Sequence, residues 1–125
     1  MIFDTDILIW AQRGNLKAVK LIEKSDVLEI SVLTYMELLQ NANNKLHHQI
    51  IKNFLKDFNV TLLPLTEAIG HRALIYIEQY SLSNGIRAGD AIIAATAVER
   101  NSKLVTSNVK HYKMIQDLNL VTFKP

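Results

Sequence analysis

Short apolar runs alternate with amphipathic segments along the chain, and this alternation restricts the fold more than any other feature of the sequence. The runs lack the polar and apolar alternation of a strand that has one face in water. The segments between them space their apolar residues as a helix does. Strands that are apolar on both faces and separated by helices form a parallel sheet covered on both sides. We therefore predict an α/β fold, a three-layer α/β/α sandwich with a short parallel sheet flanked by helices.

The element boundaries follow from the same pattern and from turn and capping residues. Strands are predicted at residues 1–3, 28–31, 60–63, 104–106 and 120–123. Among the helices, four have clear limits, namely 47–58, 66 to about 80, 86–100 and 108 to about 117, and a loop is expected at 81–85. We find no internal repeat and no linker. The sequence therefore predicts a single domain over residues 1–125.

The charge and composition exclude several classes of protein. Fourteen Lys and Arg against twelve Asp and Glu give a net charge of +2, which is too small for a protein that coats nucleic acid with a basic surface. The longest apolar or small-residue stretch, residues 91–98, is far shorter than the roughly 20 residues that span a bilayer, so no membrane partner is expected. Acids near Met1 replace the basic start of a signal peptide, which predicts a cytoplasmic location.

Three of the acids, Asp4, Glu37 and Asp90, have apolar neighbours. Asp4 follows the first strand, Asp90 falls in the first turn of an alanine-rich helix, and ligands of parallel sheets bind beyond the strand ends. If Glu37 joins them, three carboxylates surround one point, where Mg²⁺ or Mn²⁺ is the natural occupant. Taken singly, each acid has a simpler explanation: Asp4 as a helix N-cap, Asp90 as a first-turn acid, Glu37 as a part-exposed helix residue.

Four segments together resemble the PIN domain and, within it, are most similar to the VapC toxins of bacterial toxin–antitoxin pairs. They read IFDTDIL at 2–8, SVLTYMEL at 31–38, GDAIIAATA at 89–97 and LVTSN at 104–108. They occur in the family's order and spread over nearly the whole chain. The resemblance implies a Mg²⁺-dependent endoribonuclease, with Mn²⁺ as a possible substitute. It also implies a homodimer and a cognate VapB-like antitoxin that blocks the site.

The resemblance also assigns roles to individual residues. The family's three principal acids, which are catalytic and bind the metal, match Asp4, Glu37 and Asp90. Supporting positions of the family match Asp6 and Thr106. Many members carry a fourth acid near residues 106–108, where this chain has Asn108. Because an amide brings no negative charge, we expect one firmly bound ion. Asn108 also suits the N-cap of the following helix.

The mechanism expected from these acids is hydrolysis of RNA by a metal-activated water, with no protein nucleophile. Substrate phosphates need cations near the acids, and residues 100–125 carry a net charge of +4. Candidates for contact with the RNA backbone are Arg87, which precedes Asp90, and Lys110 with His111, which follow Asn108. The alternative for these three residues is an ordinary solvated surface.

Two other functions are compatible with part of the pattern. The first is a catalytically silent PIN-like module that binds RNA or an antitoxin, although the intact acid set favours catalysis. The second is a haloacid-dehalogenase-like phosphohydrolase, because Asp4-Thr5-Asp6 resembles the DxD opening of that class. That class would place another acid four residues after Asp90, and position 94 is Ala.

Overall fold

The computed structural model describes residues 1–125 and contains five short strands and six α-helices. The strands are β1 (Ile2–Phe3), β2 (Glu29–Ser31), β3 (Thr61–Leu63), β4 (Leu104–Thr106) and β5 (Leu120–Thr122). The helices are α1 (Thr5–Gln12), α2 (Leu16–Lys24), α3 (Val32–Gln40), α4 (Lys45–Asp57), α5 (Glu67–Asn84) and α6 (Ala88–Glu99). A 3₁₀ turn, Val109–His111, follows β4.

All strands are parallel, and their order across the sheet is β3-β2-β1-β4-β5. Successive side chains of a strand point to opposite faces, so each strand supplies both sides of the sheet. Ile2 and Leu104 lie in the core cluster formed with α5 and α6. Phe3 and Val105 lie in the cluster formed with α1 to α4. The predicted three-layer α/β/α fold is confirmed.

The strand order creates a switch point between β1 and β4. From β1 the chain adds β2 and β3 on one side, then crosses over to place β4 and β5 on the other side. Adjacent loops leave in opposite directions at such a point, which opens a crevice at the carboxyl ends of the two strands. Asp4 lies at this edge, where its backbone N–H donates to Val105 O at 2.9 Å.

Helix α6 packs closely on helices α5 and α3, and its buried residues are mainly small. Ala91, Ala94, Ala95 and Ala97 are fully buried. Methyl side chains let the backbones of neighbouring helices approach closely. The first turn of α6 is thereby held beside the crevice. None of the helices has the length and apolar character needed to cross a membrane.

Two predicted boundaries were wrong. Residues 81–84 continue α5, which ends where Gly85 adopts a left-handed conformation at φ 69° and donates its N–H to Ser81 O. The helix predicted at 108–117 is only the short 3₁₀ turn followed by turns. Tyr112, Ile115 and Leu118 are all buried, so this segment packs on the core without a regular helix.

Candidate active site

Asp4 is the centre of the candidate site. Its side chain is 6% exposed, and its Oδ1 caps α1 by accepting the Thr5 N–H at 2.8 Å. Its Oδ2 accepts the hydroxyl of Thr106 at 2.8 Å and that of Tyr112 at 3.0 Å. Asp4 is therefore the N-cap of α1 through one oxygen, while its other oxygen accepts the hydroxyl groups of the crevice.

Asp90 reaches the same place from the first turn of α6. The Tyr112 hydroxyl lies 3.3 Å from Asp90 Oδ1, so one phenol contacts both Asp4 and Asp90. The other carboxylate oxygen of Asp90 lies 3.5 Å from Nδ1 of His111, whose side chain is half-exposed. Asp90 itself is partly exposed, which makes this side of the site reachable from solvent.

Glu37 is held at the site by α1. The Thr5 hydroxyl donates to Glu37 Oε1 at 2.7 Å, and Thr5 Oγ1 also lies 3.1 Å from Oγ1 of the buried Thr34. The other carboxylate oxygen faces α6, since a Cβ placed on Gly89 would lie 3.4 Å from Glu37 Oε2. Glu37 therefore lies between the start of α1 and the start of α6.

Asp6 makes its hydrogen bonds to the residue that follows β4. Its Oδ2 accepts the backbone N–H of Ser107 at 2.8 Å and also the Ser107 hydroxyl. Its Oδ1 is buried and has no hydrogen-bond partner. Asp6 therefore ties α1 to the residue that follows β4 and leaves one carboxylate oxygen unsatisfied.

The electrostatics of the site are those of an uncompensated negative charge. Burial and, to a smaller extent, the negative charge of Asp6 raise the pKa of Asp4 to about 7, although the donors Thr106, Thr5 and Tyr112 lower it. Burial and the charges of Asp4 and Asp90 raise the pKa of Tyr112 far above its ordinary range. Tyr112 therefore stays protonated and acts as a hydrogen-bond donor.

The donor atoms fit a hard divalent cation. The side chains of Asp4, Glu37 and Asp90 offer carboxylate oxygens, the ligands that Mg²⁺ and Mn²⁺ prefer. A cation would oppose the burial and the charge of Asp6, which raise the pKa of Asp4, and would give the unsatisfied Oδ1 of Asp6 a partner. The hydroxyl groups of Thr5 and Tyr112 contact the carboxylates and keep them apart. No three acids or histidines are grouped closely enough to form a metal site.

The predicted supporting residues lie in different relations to this site. Thr106 contacts Asp4 directly, and its oxygen also accepts the Asn108 backbone N–H at 3.0 Å. Asn108 occupies the predicted N-cap position, now of the 3₁₀ turn, but it is exposed and its side chain makes no capping hydrogen bond. Arg87 is exposed at the start of α6, and Lys110 is exposed beyond β4.

The basic residues of the segment 100–125 do not share one surface. Arg100 and Lys103 precede β4 and lie at the amino ends of the strands, where Arg100 Nη2 is 3.4 Å from Glu29 Oε2. Lys110 follows β4 and lies at the carboxyl ends, with the acids. The segment charge of +4 therefore overstates the positive charge near the site.

Three residues that contact the acids were missed in the sequence. Tyr112 followed a Lys-His pair and was assigned to a helix without a role of its own. Thr5 and Ser107 each adjoin a predicted residue, and both use short hydroxyl groups to hold acids. The position of Thr5 and Ser107 in the sequence could have indicated their role. Polar residues at the carboxyl ends of β1 and β4 face one another in any sheet that pairs these strands.

The comparisons with known proteins agree with the fold. The family model of the PIN domain matches residues 1–115. Ribonuclease VapC10 of Mycobacterium tuberculosis is 34% identical over 122 residues, which cover 94% of this chain and 90% of that protein. Ribonuclease VapC1 of Rickettsia felis is 28% identical over 98% of this chain and 95% of that protein.

Solved structures of related proteins share the fold of this chain. VapBC-1 of nontypeable Haemophilus influenzae superposes with a TM-score of 0.81 at 27% identity, covering 98% of each chain. A toxin–antitoxin complex from Klebsiella pneumoniae gives a TM-score of 0.80 at 27% identity, covering 97% of this chain and 95% of that chain. The chain belongs to the PIN domain family. Within that family it is of the VapC type, which leaves the haloacid-dehalogenase alternative without support.

Proposed function

We propose that this protein is a divalent-metal-dependent endoribonuclease, the toxin of a toxin–antitoxin pair, and that it hydrolyses RNA phosphodiester bonds in the cytoplasm. The observation that carries the proposal is the buried carboxylate of Asp4 at the switch point of the sheet, joined through Tyr112 to Asp90 and through Thr5 to Glu37. The similarity to proteins named ribonucleases supports the reaction type.

Asp4, Glu37 and Asp90 are the residues that would hold Mg²⁺ or Mn²⁺. When bound, such an ion lowers the pKa of a water molecule and offsets negative charge on the phosphate. Asp4 is held for this task by two hydroxyl donors on one oxygen and a backbone N–H on the other. We propose that no side chain is the nucleophile, because Tyr112 stays protonated and the hydroxyl of Thr106 is fully buried, away from an approaching phosphate.

The exposed side of the site suits a charged polymer as substrate. Asp90 and His111 are partly exposed, so a phosphodiester can approach from solvent on the side of the short turn after β4. Arg87 and Lys110 are exposed near the starts of α6 and the 3₁₀ turn, where they would neutralise flanking phosphates. Asn108 leaves the family's fourth acidic position uncharged, and we propose that one ion is held firmly.

We further propose that the chain is bound by a VapB-like antitoxin and forms a homodimer. The antitoxin is supported by the solved relatives, which are titled as a VapBC structure and as a toxin–antitoxin complex, whereas the homodimer is implied by the family resemblance alone. Co-expression with a candidate VapB-like antitoxin from an adjacent reading frame, followed by size-exclusion chromatography with light scattering, tests both statements. A monomer that does not associate with that antitoxin would contradict them.

The decisive experiment for the reaction is RNA cleavage by the purified protein with Mg²⁺, with EDTA, and with the variant Asp4→Asn. We expect fragments only for the wild-type protein with Mg²⁺. The variant Asp57→Asn is a matched control, because Asp57 is an exposed acid at the end of α4, and it should cleave as wild type does. Undiminished cleavage by Asp4→Asn would refute the site. RNA binding without any cleavage by the wild type would instead favour the catalytically silent module.

A further inference from the structure

Tyr112 is a fully buried side chain whose hydroxyl group reaches the acids. The residue is 0% exposed and belongs to the core cluster of α5 and α6, together with Ile2 and Leu104. It lies at the end of the 3₁₀ turn, outside any regular helix. The ring is thus anchored in the core while the hydroxyl lies at the edge of that core.

The hydroxyl contacts two acids that come from different parts of the fold. It lies 3.0 Å from Asp4 Oδ2, at the end of β1, and 3.3 Å from Asp90 Oδ1, in the first turn of α6. A phenol carries one proton and so cannot donate fully to both oxygens at once. A single donor between two carboxylates keeps both oxygens turned toward the same point.

Packing alone does not account for this hydroxyl. Phenylalanine would fill the same core space, and a buried hydroxyl costs about 1–3 kcal/mol unless it is hydrogen-bonded. The only hydrogen bonds that Tyr112 OH makes are those with Asp4 and Asp90. The hydroxyl group therefore interacts with the acids, whereas the ring packs in the core.

We propose that Tyr112 is a positioning residue that sets the separation and orientation of the Asp4 and Asp90 carboxylates, and thereby the affinity of the site for a divalent cation. The inference rests on the proposed function, because it assumes that these two acids bind the ion. Tyr112 itself is not a ligand in this proposal. It acts through the two carboxylates, as second-layer hydrogen-bond partners of metal ligands generally do.

The chain provides a matched control in Tyr76. This residue belongs to the same core cluster, is 5% exposed, and has a buried hydroxyl with no hydrogen-bond partner. Tyr76→Phe and Tyr112→Phe therefore remove the same atom from the same core. Only the second substitution removes a donor from the acids.

The test is the binding of Mn²⁺ to the RNA-free protein, measured by calorimetry. Tyr112→Phe should raise the dissociation constant about 10–100-fold, and Tyr76→Phe should leave it within twofold of wild type. In cleavage assays, Tyr112→Phe should require more Mg²⁺ for half-maximal rate while keeping most of the rate at saturating Mg²⁺. A merely structural role would lower the free energy of unfolding without changing the dissociation constant.

A second measurement uses the protein without a mutation. In protein labelled with 3-fluorotyrosine, the ¹⁹F resonance of Tyr112 should shift on titration with Mg²⁺, and that of Tyr76 should not. An unchanged Mn²⁺ affinity in Tyr112→Phe, or equal weakening in both variants, would overturn the inference and leave the proposed function standing. A wild-type protein that binds no Mn²⁺ would overturn both.

Discussion

The Thr106 hydroxyl donates to Asp4 Oδ2 at 2.8 Å, joining the ends of two adjacent parallel strands across the switch point. Both residues are buried, and their hydrogen bond spans 102 positions of sequence. The same Thr106 oxygen accepts the N–H of Asn108. Since that N–H occupies a lone pair of the hydroxyl oxygen, the proton of Thr106 is directed at the carboxyl group of Asp4 and stabilises its charged form.

Replacing Thr106 with Val keeps the shape of the side chain and removes this donor. We expect a loss of about 1–3 kcal/mol in the free energy of unfolding, because a buried charged acceptor loses a partner. Urea denaturation at pH 8 with EDTA measures the loss. Thr122→Val is the control, since Thr122 pairs with Thr106 in register on β5 and is exposed, and it should change the stability by less than about 0.5 kcal/mol. Equal losses in the two variants would contradict the role of the hydrogen bond.

The raised pKa of Asp4 makes stability depend on pH. The carboxyl has an ordinary value of 3.8 in the unfolded chain and about 7 in the folded protein, so the folded state binds more protons between these values. The contribution of Asp4 is therefore most favourable below pH 4 and is lost as the pH rises through 7. We expect the metal-free wild type to lose about 2–4 kcal/mol relative to Asp4→Asn between pH 4 and pH 8.

Urea denaturation of both proteins across this pH range, with EDTA present, measures the difference. Subtracting the Asp4→Asn curve removes the titration of the histidines and of the other acids. A difference between the two curves that stays flat with pH would show that Asp4 is ionised at its ordinary pKa. Adding Mg²⁺ at pH 8 should stabilise the wild type more than Asp4→Asn, because a ligand that binds only the folded state stabilises it.

Glu37 depends on Thr5 for its orientation, and the two should act as a unit. Thr5→Val removes the hydroxyl that lies 2.7 Å from Glu37 Oε1, and we expect RNA cleavage to fall about 10–100-fold. Glu37→Gln should lower cleavage as well, and the double variant should lose less than the product of the two separate effects. Single-turnover cleavage rates of the four proteins measure the coupling. Independent, multiplying effects would show that the hydrogen bond does not position Glu37 for the reaction.

The sequence predicts the sheet and the position of Asp4 well, because both follow from local pattern. Apolar runs such as residues 104–106 are short and bounded by polar residues, and an acid directly after a strand must lie at its carboxyl end. The prediction that Asp90 begins a helix also depends only on nearby alanines. These features required no knowledge of which strands are adjacent.

The missed features depend on contacts between distant parts of the chain. Tyr112 meets Asp4 across 108 positions, and nothing near Tyr112 in the sequence indicates that neighbour. The spacing of Tyr112, Ile115 and Leu118 is compatible with an α-helix at the level of pattern, but the chain forms only the 3₁₀ turn Val109–His111 followed by turns. The net charge of residues 100–125 gave too high an expectation of positive charge near the acids for a related reason. Strand β4 lies within this segment, so basic residues before and after it lie at opposite ends of the sheet.

This division of charge gives a prediction about RNA binding. Lys110 lies beyond the carboxyl end of β4, whereas Arg100 lies at the amino ends of the strands beside Glu29. In an Asp4→Asn background that prevents cleavage, Lys110→Ala should weaken the binding of labelled single-stranded RNA and reduce the slope of log K against log salt by about 0.7, the value for one phosphate contact. Arg100→Ala removes the same charge from the far end and should leave the slope unchanged. Fluorescence anisotropy at several salt concentrations measures both slopes, and identical slopes for the two variants would show that RNA does not approach along the acidic edge.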